Sequence, residues 1–206
     1  NCSTISGCAA SKAFWSSRSK IALRVVTLEE VPVDEEFLAG RIADAVALRT
    51  RAFGDEQFLR LVHGEGDLFP GLVVDRYGPV AVVQPLIPAT DRRKAFLAEA
   101  LAAALPIRTV VERNDVRVRE LEGLEQVKGV LRGEPPGVLE YREGEVRLRL
   151  DVLGGQKTGA FLDQRENRRA AAAWAHGRVA DVFCYSGIGA LILSRRAKEV
   201  IAVDAS

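Results

Sequence analysis

At 206 residues the chain has room for one or two domains with a sizeable core, and its 48% hydrophobic and 28% charged residues are ordinary for a soluble globular protein. A formal net charge of +1 gives no global footprint for nucleic acid, so any RNA contact must come from a local basic face. No apolar run approaches the ~18 residues of a membrane helix and no secretory leader is evident, while Cys2, Cys8 and Cys184 give neither a metal-ligand spacing nor a disulfide framework, which reads as a reduced cytoplasm and no metal site.

Residues 1–13 are small and polar without periodicity and read as a disordered terminus. From Ser19 to Thr27 the pattern alternates as a strand does. Pro32, Asp34, Glu35 and Glu36 mark a helix start, and apolar residues from Phe37 to Leu48 keep helical spacing through Arg49. Phe58 to His63 alternates as a strand, and Leu72 to Asp75 and Val80 to Pro85 are strands flanking the turn Arg76-Tyr77-Gly78-Pro79. His63 is the one acid–base candidate there, and a lone histidine beside a turn is more often structural. Asp91 to Leu105 reads as an amphipathic helix with Asp91 as N-cap, Ile107 to Val111 as the next strand, and Gly137 to Tyr141 with Val146 to Leu150 as a hairpin turning at Glu143-Gly144-Glu145. The order strand-strand-helix-strand-strand fits a small α+β sheet covered by a helix.

The informative stretch is residues 151–206. Gly154 and Gly155 allow a sharp turn, and Asp163 opens a helix running through Trp174. Arg165, Arg168 and Arg169 crowd its first turns, where cations oppose the helix dipole; they either pair with Asp163 and Glu166 or reach RNA phosphates. Val179 to Phe183 reads as a buried strand ending in the turn Cys184-Tyr185-Ser186-Gly187-Ile188-Gly189. An apolar helix follows over Ala190 to Ser194, then a strand from Glu199 to Val203 with Asp204 at its tip. Glycines at a strand-to-helix turn let a ligand approach the backbone, and an acid about 20 residues on accepts from ribose hydroxyls. A dinucleotide turn wants a third glycine where Ile192 stands. Asp181, an acid inside the first strand, suits a cofactor carrying an amine and a sulfonium rather than a pyrophosphate. Together these point to S-adenosylmethionine.

At this point the sequence resembles a known family. The run Gly155 to Arg168 (GQKTGAFLDQRENR) resembles the segment preceding the cofactor domain in bacterial 23S ribosomal RNA large-subunit methyltransferases of the cytosine carbon-5 type that carry an N-terminal PUA domain. Asp181 to Gly187 is similar to that family's first methyltransferase motif and Val203 to Ser206 to its second; Leu61 to Tyr77 and Glu112 to Leu124 match in family order. Where the family usually has a glycine and an aromatic residue after Gly187, this chain has Ile188-Gly189.

The resemblance implies a fold that combines α/β and α+β parts. Residues 1–27 would hold the tail and a PUA remnant, 28–52 a connecting helix, 53–150 the central α+β domain, and 151–206 the start of a Rossmann-like class I methyltransferase domain. It implies an S-adenosylmethionine-dependent enzyme acting on 23S ribosomal RNA, with cofactor contacts from Thr158, Phe161, Asp163, Asp181, Phe183, Cys184, Tyr185, Ser186, Gly187, Asp204 and Ser206. Phe161 would close over the cofactor and Asp163 would face its methionine end. Carbon-5 chemistry needs a thiolate at carbon-6; Cys184, on the cofactor loop, would line the methionine pocket, so the nucleophile is expected beyond Ser206, in a chain truncated at both ends. A homodimer is a further expectation, as are poor solubility and inactivity of residues 1–206 alone. Two alternatives stand beside this reading: a non-catalytic RNA-binding or assembly module, and an NAD-type oxidoreductase, which Ile192 and Asp181 disfavour.

Overall fold

The computed structural model describes residues 2–5, 11–155 and 159–205. It opens with a three-stranded antiparallel sheet of β1 (Cys2–Ile5), β2 (Ser11–Trp15) and β3 (Leu23–Thr27). The expectation of a disordered segment over residues 1–13 is thereby corrected for residues 2–5 and 11–13; residues 1 and 6–10 lie outside the described residues. Ladder hydrogen bonds are made by the backbone whatever the side chains, so a polar run joins a sheet once its neighbours are anchored; here Ala13, Phe14 and Val26 are buried. The strand expected from Ser19 begins four residues later, after a turn closed by Ser16 N–H donating to the Ala22 carbonyl at 2.9 Å.

The long helix α1 (Glu35–Phe53) starts where its cap chemistry says it should. Asp34 accepts from Phe37 N–H at 2.9 Å, Glu35 and Glu36 face the positive end of the dipole, and Gly54 closes the C-terminus. Its buried residues Leu38, Ile42 and Ala45 fall on one stripe. That stripe packs on the central sheet: β4 (Phe58–His63), β5 (Leu72–Tyr77), β6 (Val80–Pro85), β7 (Thr109–Arg113) and β8 (Lys128–Arg132), hydrogen-bonded in that order. Only β6 and β7 run parallel among these neighbours, and a parallel pair needs a crossover. The crossover holds a short turn of helix, α2 (Pro88–Asp91), and then α3 (Lys94–Ala104).

Two expectations fail in this region. Asp91 does not cap the helix; it ends α2, which begins at Pro88, and its carboxylate lies 2.9 Å from Arg119 Nη2. Arg119, in the short helix α4 (Val118–Leu121), is 2% exposed, and a buried guanidinium left without an anion costs far more than a lost cap. The fifth partner of the sheet is β8 rather than a strand of the hairpin; its KGVLR sequence has the charges of an edge strand and almost no alternation. The hairpin β9 (Leu139–Glu143) and β10 (Val146–Leu150) forms its own two-stranded sheet.

The central sheet is covered on both faces, and its period-two pattern sorts the cores. Leu59, Leu61, Val74, Ala81, Val83 and Val110 meet α1 and α3 on one side. Tyr77, Val80, Val82 and Val111 meet Tyr141 of the hairpin and Leu150, Val152, Ala160, Leu162 and Ile188 on the other. The second core therefore crosses residue 150, with Val152, Ala160, Leu162 and Ile188 packed into it. Beyond it come α5 (Arg165–Trp174), β11 (Arg178–Val182), α6 (Ile188–Leu193) and β12 (Glu199–Val203). Strands β11 and β12 pair in parallel, Val179 opposite Val200, and leave Val182, Ile201 and Val203 about half exposed.

Candidate cofactor site

The site begins at the C-terminal tips of β11 and β12. The chain leaves β11 with Phe183 at φ 66° and Tyr185 at φ 50°, conformations that side-chain-bearing residues adopt only when their surroundings hold them there. The holding contacts come from β12. Phe183 N–H donates to the Val203 carbonyl at 2.7 Å, and Tyr185 N–H donates to Asp204 Oδ2 at 2.7 Å. Asp204 thus fastens the loop as well as standing at the strand tip. Gly187 follows at φ 75°, and a Cβ built on it meets no atom within 4 Å, so open space lies beside the backbone.

Asp181 sits beneath this turn. A Cβ on Gly189 would lie 2.8 Å from Asp181 Oδ2, so only glycine lets α6 start directly over the carboxylate. That oxygen is buried and, among the described residues, accepts no hydrogen bond. An orphaned carboxylate oxygen is a costly thing to keep unless a donor comes to it. An aliphatic ammonium group is such a donor.

Phe161 forms the adjoining wall. Its ring meets Tyr185 edge to face, centroids 5.2 Å apart. Phe161 is positioned from three directions. The Tyr77 hydroxyl accepts from Ala160 N–H at 3.0 Å and donates to the Ala160 carbonyl at 3.1 Å. Arg168 Nη1 donates to the Phe161 carbonyl at 3.0 Å. Upstream, the buried Arg113 donates to the carbonyls of Val152 at 2.5 Å and Gly155 at 2.9 Å while pairing with Asp115, whose carboxyl it holds below the usual range through a direct hydrogen bond. Rigid support of this kind keeps a binding wall in place before the ligand arrives.

The arginines of α5 turn inward. Arg165 is 4% exposed, pairs with Glu56 at 3.0 Å and lies over the Phe53 ring. Arg168 pairs with the buried Glu143 at 2.5 Å, and the Tyr141 hydroxyl donates to the same carboxylate. Arg169 pairs with Glu166 at 3.0 Å. The arginine-to-phosphate option raised by the sequence is thus corrected for Arg165 and Arg168, which are spent on the part-buried Glu56 and the buried Glu143. Burial, and then the bond to Glu143, push the Tyr141 hydroxyl well above the ordinary tyrosine value of 10.0. A raised folded-state value means the stability it carries is full below pH 10 and is lost as pH climbs past it, because the unfolded chain ionises first. Tyr141→Phe is expected to cost about 1–3 kcal/mol at pH 8, because the buried Glu143 carboxylate loses a donor, with thermal stability of the wild type falling more steeply than that of the variant above pH about 10. Parallel alkaline slopes would remove the assignment.

With this geometry in view, the relatives can be set beside it. No family model matches the chain. It is 39% identical over 198 residues to the ribosomal RNA large subunit methyltransferase I of Photobacterium profundum, across 93% of this chain and 50% of that one. It is 40% identical over 200 residues to the enzyme of the same name from Tolumonas auensis, with the same shares. The chain is similar in sequence to these methyltransferases. It spans about half the length of the curated relatives it matches. Among solved structures it superposes with a TM-score of 0.76 on a protein of Streptococcus mutans described as a SAM-dependent methyltransferase, at 20% identity over 95% of this chain and 51% of that one. A second match, a methyltransferase complexed with SAH, gives 0.78 at 21% identity over the same shares. At such identities the likeness speaks for the fold: a mixed α/β arrangement shared with methyltransferase structures.

Against that fold, the residues anticipated from the sequence distribute as follows. Asp181, Phe183, Cys184, Tyr185, Ser186, Gly187 and Asp204 lie in β11, the turn after it and the tip of β12, and Phe161 borders them through Tyr185. Cys184 is half-buried in the loop, its N–H donating to the Val203 carbonyl at 3.2 Å. Phe183 is 82% exposed. Asp163 differs from expectation: it lies in a 3-10 turn before α5 rather than opening that helix, and its carboxylate is 3.4 Å from Arg60 Nη1. Arg60 also holds the fully buried Asp75 at 2.9 Å, so a charge in the sheet claims Asp163. Thr158 and Ser206 lie outside the described residues. His63 is exposed, and its backbone N–H donates to Asp67 at 2.6 Å, as a turn residue would. The residues that sequence reading missed are Tyr77, Arg113, Glu143 and Ile188. The first two stood inside segments already singled out, but their partners are 83 and 39 residues away in the chain. Ile192, which breaks the dinucleotide pattern, and Ile188, which departs from the family's first motif, pack against the second core instead.

Proposed function

We propose that this chain supplies the first part of an S-adenosylmethionine site in a methyltransferase that acts on 23S ribosomal RNA. The observation that carries the reading is the buried, unpartnered Asp181 oxygen under a glycine turn, with Asp204 at the tip of the paired strand. The names of the relatives supply the reaction class and the RNA.

In this reading each residue has a task. Asp181 accepts from the methionine ammonium group, which satisfies its orphaned oxygen. Asp204 accepts from the ribose hydroxyls while holding Tyr185 N–H, so ribose binding and loop shape are coupled. Phe161 and Tyr185 give an aromatic wall that excludes water beside the sulfonium. The bound cofactor supplies an electrophilic methyl group. Cytosine carbon-5 is the target the motif resemblance favours, and its attacking thiolate is assigned outside residues 1–206, since Cys184 is spoken for as a loop residue of the cofactor pocket. The N-terminal three-stranded sheet is read as the PUA remnant, and residues 53–150 and 151–206 as the central and cofactor domains.

Calorimetry with S-adenosylhomocysteine and with NAD tests the reading: heat from the first and none from the second is expected, and the reverse would turn the site into a dinucleotide turn. Asp204→Ala is expected to weaken S-adenosylhomocysteine by about ten- to a hundred-fold, the value of one charge-assisted hydrogen bond of roughly 1.5–3 kcal/mol. Unchanged affinity would detach Asp204 from the ribose. Transfer of a labelled methyl group to unmodified 23S ribosomal RNA by the full-length protein tests the reaction itself.

A further inference from the structure

A second polar cleft, sharing no residue with the cofactor turn, lies where the N-terminal sheet meets α2 and α4. Its volume is about 390 Å³, within the roughly 300–1,000 Å³ of small-ligand sites. Trp15, 48% exposed, stands on its wall with Pro88 and Leu124. Arg18 and Arg92 line it too, both exposed and, among the described residues, neither with an ion pair or a side-chain hydrogen bond. Arg18 lies against Gly123, where a Cβ would come within 2.4 Å of its Cδ, so a side chain at 123 would displace it. Asp91 contributes a carboxylate already matched by Arg119.

The telling group is Glu122. It is 4% exposed, and its Oε1 accepts from Arg24 at 2.9 Å. Its Oε2 is buried and, among the described residues, has no hydrogen-bond donor. A buried carboxylate oxygen that lines a cleft without a partner marks a place for an N–H. An exposed indole offers a face for stacking, and unpaired arginines at the rim offer charge for phosphate.

We propose that this cleft holds one nucleotide of single-stranded RNA, stacked on Trp15, with the amine of its base on Glu122 Oε2 and its phosphate between Arg18 and Arg92. The inference rests on RNA being the substrate and adds a subsite remote from the cofactor turn. It also sets a preference. Adenine and cytosine carry an exocyclic amine that a carboxylate oxygen accepts. Uracil offers only N3–H flanked by two carbonyl oxygens, which the carboxylate repels. Adenylate and cytidylate therefore bind ahead of uridylate.

The experiment uses the Trp174→Phe chain, in which Trp15 is the sole tryptophan, and labelled hexa-adenylate, hexa-cytidylate and hexa-uridylate read by anisotropy. Hexa-adenylate is expected to quench Trp15 and to bind about tenfold more tightly than hexa-uridylate, in line with single-contact discrimination. Glu122→Gln presents an amide that accommodates uracil carbonyls and is expected to abolish the preference. Arg92→Ala, at an exposed position that folding does not need, is expected to weaken all three oligomers by the same factor and lower the salt slope by about one. Preference retained in Glu122→Gln, or affinity and slope unchanged in Arg92→Ala, overturns the subsite while RNA binding itself stands. Adenosine monophosphate binding as tightly as the hexamer would make this a free-nucleotide site and overturn it as well. No RNA binding at all would sink both the subsite and the RNA reading, and calorimetry with S-adenosylhomocysteine on the same sample reports separately on the cofactor site.

Discussion

Glu143→Leu is expected to destabilise the chain by about 3–5 kcal/mol, the cost of breaking a buried ion pair and leaving one charge behind. Glu143 is 4% exposed and takes hydrogen bonds from both Arg168 and the Tyr141 hydroxyl. Burial alone would lower the Arg168 guanidinium, yet its bond to Glu143 raises it overall, which marks the carboxylate as its counter-ion. Removing that carboxylate strands a guanidinium of which 13% is exposed, together with a phenol in the second core. Urea unfolding measures the loss. The double variant Glu143→Leu with Arg168→Leu should recover most of it, because two apolar groups of similar volume need no partners. A single variant as stable as wild type would mean that the pair is solvated rather than buried. Since Arg168 also holds the Phe161 carbonyl, the single variant should weaken S-adenosylhomocysteine too, although Glu143 is no part of the pocket.

Gly187→Val is expected to lower S-adenosylhomocysteine affinity at least about a hundred-fold, close to 2.7 kcal/mol. Two effects act together. The residue sits at φ 75°, where a β-branched side chain is strained by about 1–3 kcal/mol, and its missing Cβ opens onto empty space beside the backbone. A control separates them. Gly144, in the hairpin turn at φ 59° with nothing within 4 Å of a built Cβ, imposes the same backbone demand away from the loop. Gly144→Val should therefore cost stability and leave binding alone. If Gly187→Val binds as wild type does, the open space is not where the cofactor lies. If Gly144→Val weakens binding equally, the loss is one of folding and not of occlusion.

Much of this protein is written locally. Strands over Phe58–His63, Val80–Pro85 and Glu199–Val203 fall where alternating or continuous apolar runs place them, and α1 begins at the Asp34 cap. The turn around Gly187 was legible for the same reason, since a strand, two glycines and a second strand with an acid at its tip are all set by neighbours in the chain. What was not legible depends on partners far away. The KGVLR of β8 becomes a strand only because β7 offers it an edge. Asp91 left its anticipated capping place for the buried Arg119, and Asp163, expected to open α5, pairs with Arg60 from β4, both arginines brought up by other elements. The arginines of α5, ambiguous between surface and RNA by sequence, were decided by Glu56 and Glu143, which the fold sets beside them. Ile188, which reads as a flaw in a cofactor motif, is the residue that seats the turn on the central sheet. Periodicity and turn chemistry act over a few residues and survive in a one-dimensional reading; ion pairing and desolvation act through space, and only the assembled chain says which charge each side chain meets.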